Sequence, residues 1–449
     1  MRRSFSLAAL ALTWVGLSWA QTPDGKATSQ IDQGREAVRG RPPMNPAAWS
    51  QGAYENAWKT WGLKEKPINY AAAFRERYGL HEAPYENGVL PMGLHVAGGL
   101  FGKGLGADCL LCHAGSVAGT TYIGLGNASL DLQAAFDELP GPVGIAAPPP
   151  FHMSNVRGTI EATAVVTYLM EFRKPDLTLR APSSLKVKDE LCEDVPAWWL
   201  MKKKKTMYHT GAGHARSVRT MMPFLLSPLN SADHIKKQEP VFASIQAYLL
   251  SLEPPKYPFP IDGAVAARGR EVFNDSCAKR HGTYGPDGKY PSKVVPLDVV
   301  GTDPSLAQGT PHAVAEHYLA SWFAQEKGLE PYPAQTSIGY QAPPLDGIWA
   351  TAPYFHNGSV PTVYHVLNSK ARPRIFTRSY HTEREDYATD NLGWKFTALP
   401  EPPDPKMPAG ERRKIYDTTQ PSRGNGGHTF GDDLTEPERR TVIEYLKTL

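Results

Sequence analysis

Apolar positions along this chain group in two ways. One is a continuous block, Leu7–Leu17, behind a basic start (Arg2, Arg3) and ahead of Ser18-Trp19-Ala20. A basic start, an apolar run and a small-x-small exit predict a secretory signal peptide over residues 1–20, too short to be a good membrane span. No other apolar stretch of the sequence is long enough to span a bilayer. The other grouping has helical spacing. Val265, Gly269 and Phe273 in DGAVAARGREVF fall four apart, which predicts an amphipathic helix. SIQAYLLSLEPP reads as a helix closing at Leu252, stopped by Pro254 and Pro255, and TVIEYLKTL reads as another.

The two closing helices resemble each other. Gln246–Leu252 and Ile443–Leu449 share a tyrosine-leucine step, and each lies well downstream of a cysteine-x-x-x-histidine motif. One unit is therefore expected twice: a histidine-bearing turn, long loops and a closing helix with an aromatic face. The segment EPPKYPFPIDG reads as the linker, with the boundary near Pro255. The expected organisation is a signal peptide (1–20), an N-terminal domain (21–255) and a C-terminal domain (256–449).

Composition narrows the class. A chain of 449 residues is long enough for two such domains. The formal charge of +3 makes no whole-chain case for nucleic acid. The run Lys202–Lys205 is the exception, read as a solvated helix face or as a docking patch for an acidic redox partner. With 40 glycines and 41 prolines the chain exceeds the usual combined share of roughly 12% and should be loop-rich. Four cysteines are too few for a disulfide scaffold.

Two of those cysteines carry chemistry. GADCLLCHAGSVAG contains Cys109, Cys112 and His113 in the C-x-x-C-H spacing. Residues three apart share one face of a helical turn. Both thiols can then add to the vinyl groups of one haem edge, with His113 carried under the iron as proximal ligand. Half of a zinc site is the competing reading, but zinc takes four ligands, usually from two such clusters, and no second cysteine pair exists. DSCAKRHGTYGPDGKYP keeps Cys277 and His281 but has Arg280 where the second thioether cysteine would stand. It reads as a haem site with one thioether, against a competing reading as a domain that has lost its cofactor. Cys192 reads as a buried free thiol, with a Cys192–Cys277 disulfide as the alternative.

Several longer segments carry a family likeness. APPLDGIWATAPYFHNGSVPTVYHVL (Ala342–Leu367), NVRGT (Asn155–Thr159), VPAWWLMKKKK (Val195–Lys205) and GGHTFGDDLTEPERRTVIEYLKTL (Gly426–Leu449) resemble segments of the di-haem c-type cytochromes. That superfamily includes bacterial cytochrome c peroxidases, MauG-type enzymes and rubber oxygenases; the last two segments look closest to the rubber-oxygenase branch. The resemblance covers most of the chain from about Leu90 onward. Two departures are Arg280 and a chain shorter than the rubber oxygenases.

The resemblance implies a mainly α, loop-rich fold of two cytochrome c-type domains in tandem. It implies His428, in NGGHTFG, as the second axial ligand of the C-terminal haem, with Met407 as the alternative. His356 is expected to organise a loop rather than bind iron. The first haem lacks an evident second ligand, so reactivity with peroxide or dioxygen is expected there. Trp198, Trp199, His209 and His214 are the candidate distal residues, with a core role as the competing reading for the tryptophans. The expected cofactor is haem c at both motifs; a calcium ion between the domains is known in the peroxidase relatives and has no assignable ligands here. The expected partners are a redox protein or a small oxidant, in a periplasm or outside the cell. A plain electron carrier and a haem-based sensor are the alternative functions.

Overall fold

The computed structural model describes residues 28–99, 102–139, 151–181, 190–329 and 338–449. The signal peptide expected over residues 1–20 lies outside them. Of the described residues 36% are helical and 13% are in strands, so the fold is mixed α and β rather than mainly α. The difference comes from segments whose glycines suggested loops. Leu94–Gly99 and Gly102–Ala107 pair antiparallel, and Trp49–Ser50 joins the outer edge of the latter. A Cβ at Gly104 would overlap the Trp49 carbonyl, so glycine here permits the strands to approach. Further short ladders are Ala114–Val117 with Thr120–Ile123, Val294–Pro296 with Gly339–Gln341, and Ile375–Thr377 between Thr397–Ala398 and Ile415–Asp417.

Two helix pairs pack closely. The helix Gln30–Val38 packs on Glu239–Ser251, and Gly263–Ser276 packs on Glu436–Leu446. Each entry helix starts at a side-chain cap: Ser29 accepts from the Asp32 amide, and Asp262 accepts from the Ala264 and Val265 amides. Thr435 and Glu438 form a reciprocal capping box on the last helix. Glu239–Ser251 buries Phe242, Ile245, Tyr248 and Leu249, a stripe at helical spacing. Glu436–Leu446 buries Val442, Ile443, Tyr445 and Leu446 in the same manner.

Both pairs use one device. A Cβ at Gly34 would overlap the Ser244 carbonyl oxygen and press on Tyr248; one at Gly269 would overlap the Thr441 carbonyl and press on Tyr445. Glycine lets the paired backbones touch. The entry helices even share Gly-Arg-Glu, as Gly34–Glu36 and Gly269–Glu271. The repeat seen in the closing helices thus extends to the entry helices. In the first pair, however, 70 residues of strand, turn and short helix separate the entry helix from its cysteine motif, whereas the second entry helix runs directly into Cys277.

The largest buried cluster draws on both sides of Pro255. Val117, Leu125 and Trp199 pack with Phe273, Trp349 and Trp394. Trp349 and Trp394 are at most 1% exposed, and their ring nitrogens donate to the Pro255 and Ala352 carbonyls. Among the described residues no helix is long and apolar enough to cross a membrane.

Candidate functional site

The N-terminal motif sits on a tight turn. Asp108 caps it, its carboxylate accepting from the Leu110 amide, and Cys109–Leu111 form a single 3-10 turn. The His113 amide donates to the Cys109 carbonyl. The flanking chain is tied back, with Gly124 N–H donating to the His113 carbonyl and Asn127 N–H to that of Cys112. Both thiols are unpaired, and burial pushes Cys112 up to about 12. The His113 imidazole is held neutral, its pKa lowered to about 4 by burial. Its Nδ1 is buried without a hydrogen-bond partner; the Pro196 carbonyl favours the protonated ring but falls outside hydrogen-bond geometry. Trp198 stacks on the ring, 4.7 Å between centroids.

The C-terminal motif opens onto a cavity of about 1500 Å³, counting the space at its mouth. Cys277 ends the entry helix, the His281 amide donates to its carbonyl, and Gly282 at φ +85° turns the chain away. His281 Nδ1 lies 2.8 Å from the Pro343 carbonyl, an acceptor only. The proton is therefore on Nδ1, and Nε2 keeps its lone pair for a metal. Burial lowers the His281 pKa, so the neutral ring is the resting form.

His428 faces it. The two ring centroids are 6.2 Å apart, and both residues line the cavity. Two metal–imidazole bonds of about 2 Å plus the half-width of each ring come to roughly 6 Å, so one iron fits between them. His428 Nδ1 is buried without a partner, and burial lowers its pKa to about 3. The donor set, the cavity and the half-buried Cys277 thiol fit a haem attached by one thioether.

The loop carrying His428 is held hard. His428 adopts φ +46°, and its amide donates to the Val300 carbonyl at 2.6 Å. Gly427 precedes it at φ +70°, where a Cβ would overlap the backbone at Gly301. The Arg372 guanidinium donates to the carbonyls of Asn425, Gly427 and His428. Phe355 and Phe430 flank the imidazole at 5.7 and 5.1 Å. Arg280 lies over the Phe430 ring, 3.7 Å from its centroid. The residue that stands where a second thioether cysteine would be thus grips the loop of the opposite histidine.

The other expected site residues are dispersed. His209 lines the C-terminal cavity, not the surroundings of His113; its Nε2 donates to the Asp194 carbonyl, and burial lowers its pKa to about 4. His356 stacks on Tyr340 at 3.9 Å, with Nε2 buried and unpartnered. Trp199 is core, its indole N–H donating to the Asp346 carbonyl. His214 lies on the two-residue strand Gly213–His214, its Nδ1 accepting from the Arg216 amide. Met407 sits on a loop outside the cavity lining. Cys192 is fully buried and free, near the hydroxyls of Thr159 and Tyr416, and is not bonded to Cys277. Among the described residues no group of three or more His, Cys, Asp or Glu could hold a metal ion, so calcium has no assigned ligands.

One short segment serves both motifs. Val195, Pro196, Ala197 and Leu200 line the C-terminal cavity, while Pro196 and Trp198 contact His113. The Trp198 amide donates to the Gly124 carbonyl and the Asp194 amide to that of His356, which fixes the segment from either side.

Residues 339–377 match the family model described as RoxA-like, cytochrome c-like. The matched segment includes Pro343, whose carbonyl orients His281. The match is to a cytochrome c-like model and is confined to this segment of the chain. Two relatives from Sinorhizobium fredii (strain NBRC 101917 / NGR234) bear the description uncharacterized protein. One, y4iM, is 29% identical over 57% of this chain and 64% of its own length. The other, y4iJ, is 28% identical over 44% of this chain and 41% of its own length. The chain thus spans less than two thirds of either relative. Kuenenia stuttgartiensis hydrazine synthase, solved under xenon pressure, aligns over 69% of this chain and 95% of its own at 15% identity; its TM-score of 0.27 carries no argument.

Proposed function

We propose that this chain is an exported c-type cytochrome of two haem-bearing units, residues 21–255 and 256–449, working in a periplasm or outside the cell. Its C-terminal cavity holds an electron-transfer haem between His281 and His428, and Cys109, Cys112 and His113 hold a reactive haem. The observation that carries this reading is the pair of buried, neutral imidazoles 6.2 Å apart across one cavity. Haem c supplies one-electron chemistry, and oxidant activation where an axial position is open.

The chain's own residues divide the work. His281 and His428 would hold the iron from its two sides, which would leave no position for a substrate and would suit electron transfer. The Pro343 carbonyl holds the His281 proton on Nδ1. Cys277 can form one thioether, and apolar side chains such as Leu200, Phe273 and Leu446 keep water from the ring. At the N-terminal turn both thiols can bond, and His113 presents a neutral imidazole. Among the described residues no second histidine ring faces His113 as His428 faces His281, which favours an iron position open to peroxide or dioxygen. The reaction read from this is peroxidase- or oxygenase-like, with electrons exchanged with a partner protein through the C-terminal haem.

The purified protein tests this. Two haems per chain are expected, one low-spin and one that shifts with peroxide. Two low-spin haems, silent to peroxide and cyanide, would make the protein an electron carrier. Ligand binding without turnover would make it a sensor.

A further inference from the structure

The four lysines of the basic run meet different fates. Lys202 pairs with Glu253, and Lys203 Nζ lies 2.6 Å from Asp346 Oδ1. Lys204 turns inward: it is 8% exposed and lines the C-terminal cavity. No described carboxylate lies within ion-pair distance of its ammonium, and burial lowers its pKa to about 8. An ammonium removed from water without a counter-ion is costly. A fold that aims one into a cavity expects an anion there.

The neighbouring groups do not provide that anion. Asp194, also on the lining, is driven well above its ordinary pKa by burial, and no described ion pair joins it to Lys204. Asp346 Oδ1 is taken by Lys203. Arg280, the arginine on the lining, has its guanidinium over the Phe430 ring. His209 lies close enough for the Lys204 charge to help keep it neutral, and its Nε2 proton goes to the Asp194 carbonyl. Thr302 Oγ1, Gln341 Oε1 and His356 Nε2 are buried on the same lining without partners. The cavity therefore awaits a ligand that is apolar over most of its body and polar, with negative charge, at an edge.

We propose that Lys204 is the cationic anchor for a haem propionate in the C-terminal cavity. This rests on the haem reading of that cavity and adds to it the residue that sets the ring's orientation and tunes its potential. A positive charge beside the carboxylate offsets its negative field at the iron and so favours the reduced state.

The test compares intact holoprotein with Lys204→Met and Lys204→Arg. Methionine fills similar space without charge, and arginine keeps the charge. All three should carry the same haem count per chain. Lys204→Met should shift the midpoint potential of the low-spin haem downward and move the propionate bending band in its resonance Raman spectrum. Lys204→Arg should leave both near wild type. An unchanged potential and band in Lys204→Met overturns the proposal. So does benzoate perturbing the wild-type low-spin spectrum but not that of Lys204→Met, which would make Lys204 a site for a free carboxylate ligand. A wild-type count of one haem per chain, bound at Cys109 and Cys112, overturns the underlying reading instead, and the count tells the two failures apart.

Discussion

The two cysteine–histidine turns are made of similar parts and secured by different means. The N-terminal turn has two thiols, a capped 3-10 start and backbone ties from Gly124 and Asn127. The C-terminal turn has one thiol, and the wall opposite it is reinforced. Arg372 collects three loop carbonyls, Phe355 and Phe430 flank His428, and Arg280 closes over Phe430. Where the second cysteine is missing, the chain supplies a clamp made of arginine and aromatic rings. On the haem reading proposed above, fixation would have moved from the attachment edge to the ligand loop.

The sharpest way to break that contrast is to remove each proximal histidine. His281→Ala should abolish the low-spin signal. His113→Ala should leave that signal in place and abolish turnover. Absorption spectra and a peroxide assay read both, and a low-spin signal surviving His281→Ala would sink the assignment. His428→Ala should act next most strongly, converting low-spin haem to high-spin with haem content retained. Loss of no low-spin signal would point to another axial group.

The helix pairs allow a finer cut. Gly34→Ala and Gly269→Ala each force a methyl group into a backbone contact, and overpacking of this kind costs about 1–3 kcal/mol. Both should lower the midpoint of thermal unfolding. Only Gly269→Ala should also perturb the low-spin spectrum, because its helix ends at Cys277. Equal spectral effects would mean that the pairs do not act separately on the two turns.

Arg280 gives the smallest effect and the most specific one. A cation–π contact is worth roughly 0.5–2 kcal/mol. Arg280→Met should therefore loosen the His428 loop and speed cyanide binding to the low-spin haem without removing it. Arg280→Cys should add a second thioether and make the haem harder to extract with acidified solvent, yet bind cyanide faster than wild type. If Arg280→Met bound cyanide at the wild-type rate, the clamp would have no function.

Legibility in the sequence followed locality. The turns at Cys109–His113 and Cys277–His281 are each set within five residues; spacing proposes the chemistry at the first, whereas the second, with Arg280 in place of a cysteine, needed the repeat and the family resemblance. The closing helices were legible because Tyr248 and Tyr445 sit in the same short pattern. The entry helix Gln30–Val38 was missed although Gly-Arg-Glu recurs there, because its motif lies 70 residues on instead of directly after it. The hairpin at Leu94–Ala107 was hidden by its own glycines. His209 follows a segment with one face toward each turn, and sequence carries no signal for which side it joins. Lys204 is hidden for a similar reason: it follows the 3-10 helix Trp198–Lys202, and its inward direction depends on contacts made far along the chain.

The paired helices also bear on when the cofactor can arrive. The C-terminal cavity exists only after segments near residues 200, 280, 345 and 428 have met, and the last to close it packs some 170 residues downstream of its partner helix. Contacts at such separation are slow to form, because a long stretch of chain must be closed first. If the cavity holds haem as proposed, the rigid macrocycle would have to be in place before the walls assemble, while Cys277 is still on an open chain. On that reading maturation and folding would be ordered in time: attachment first, closure second. A chain that closed early would be a compact but empty product rather than a slow precursor.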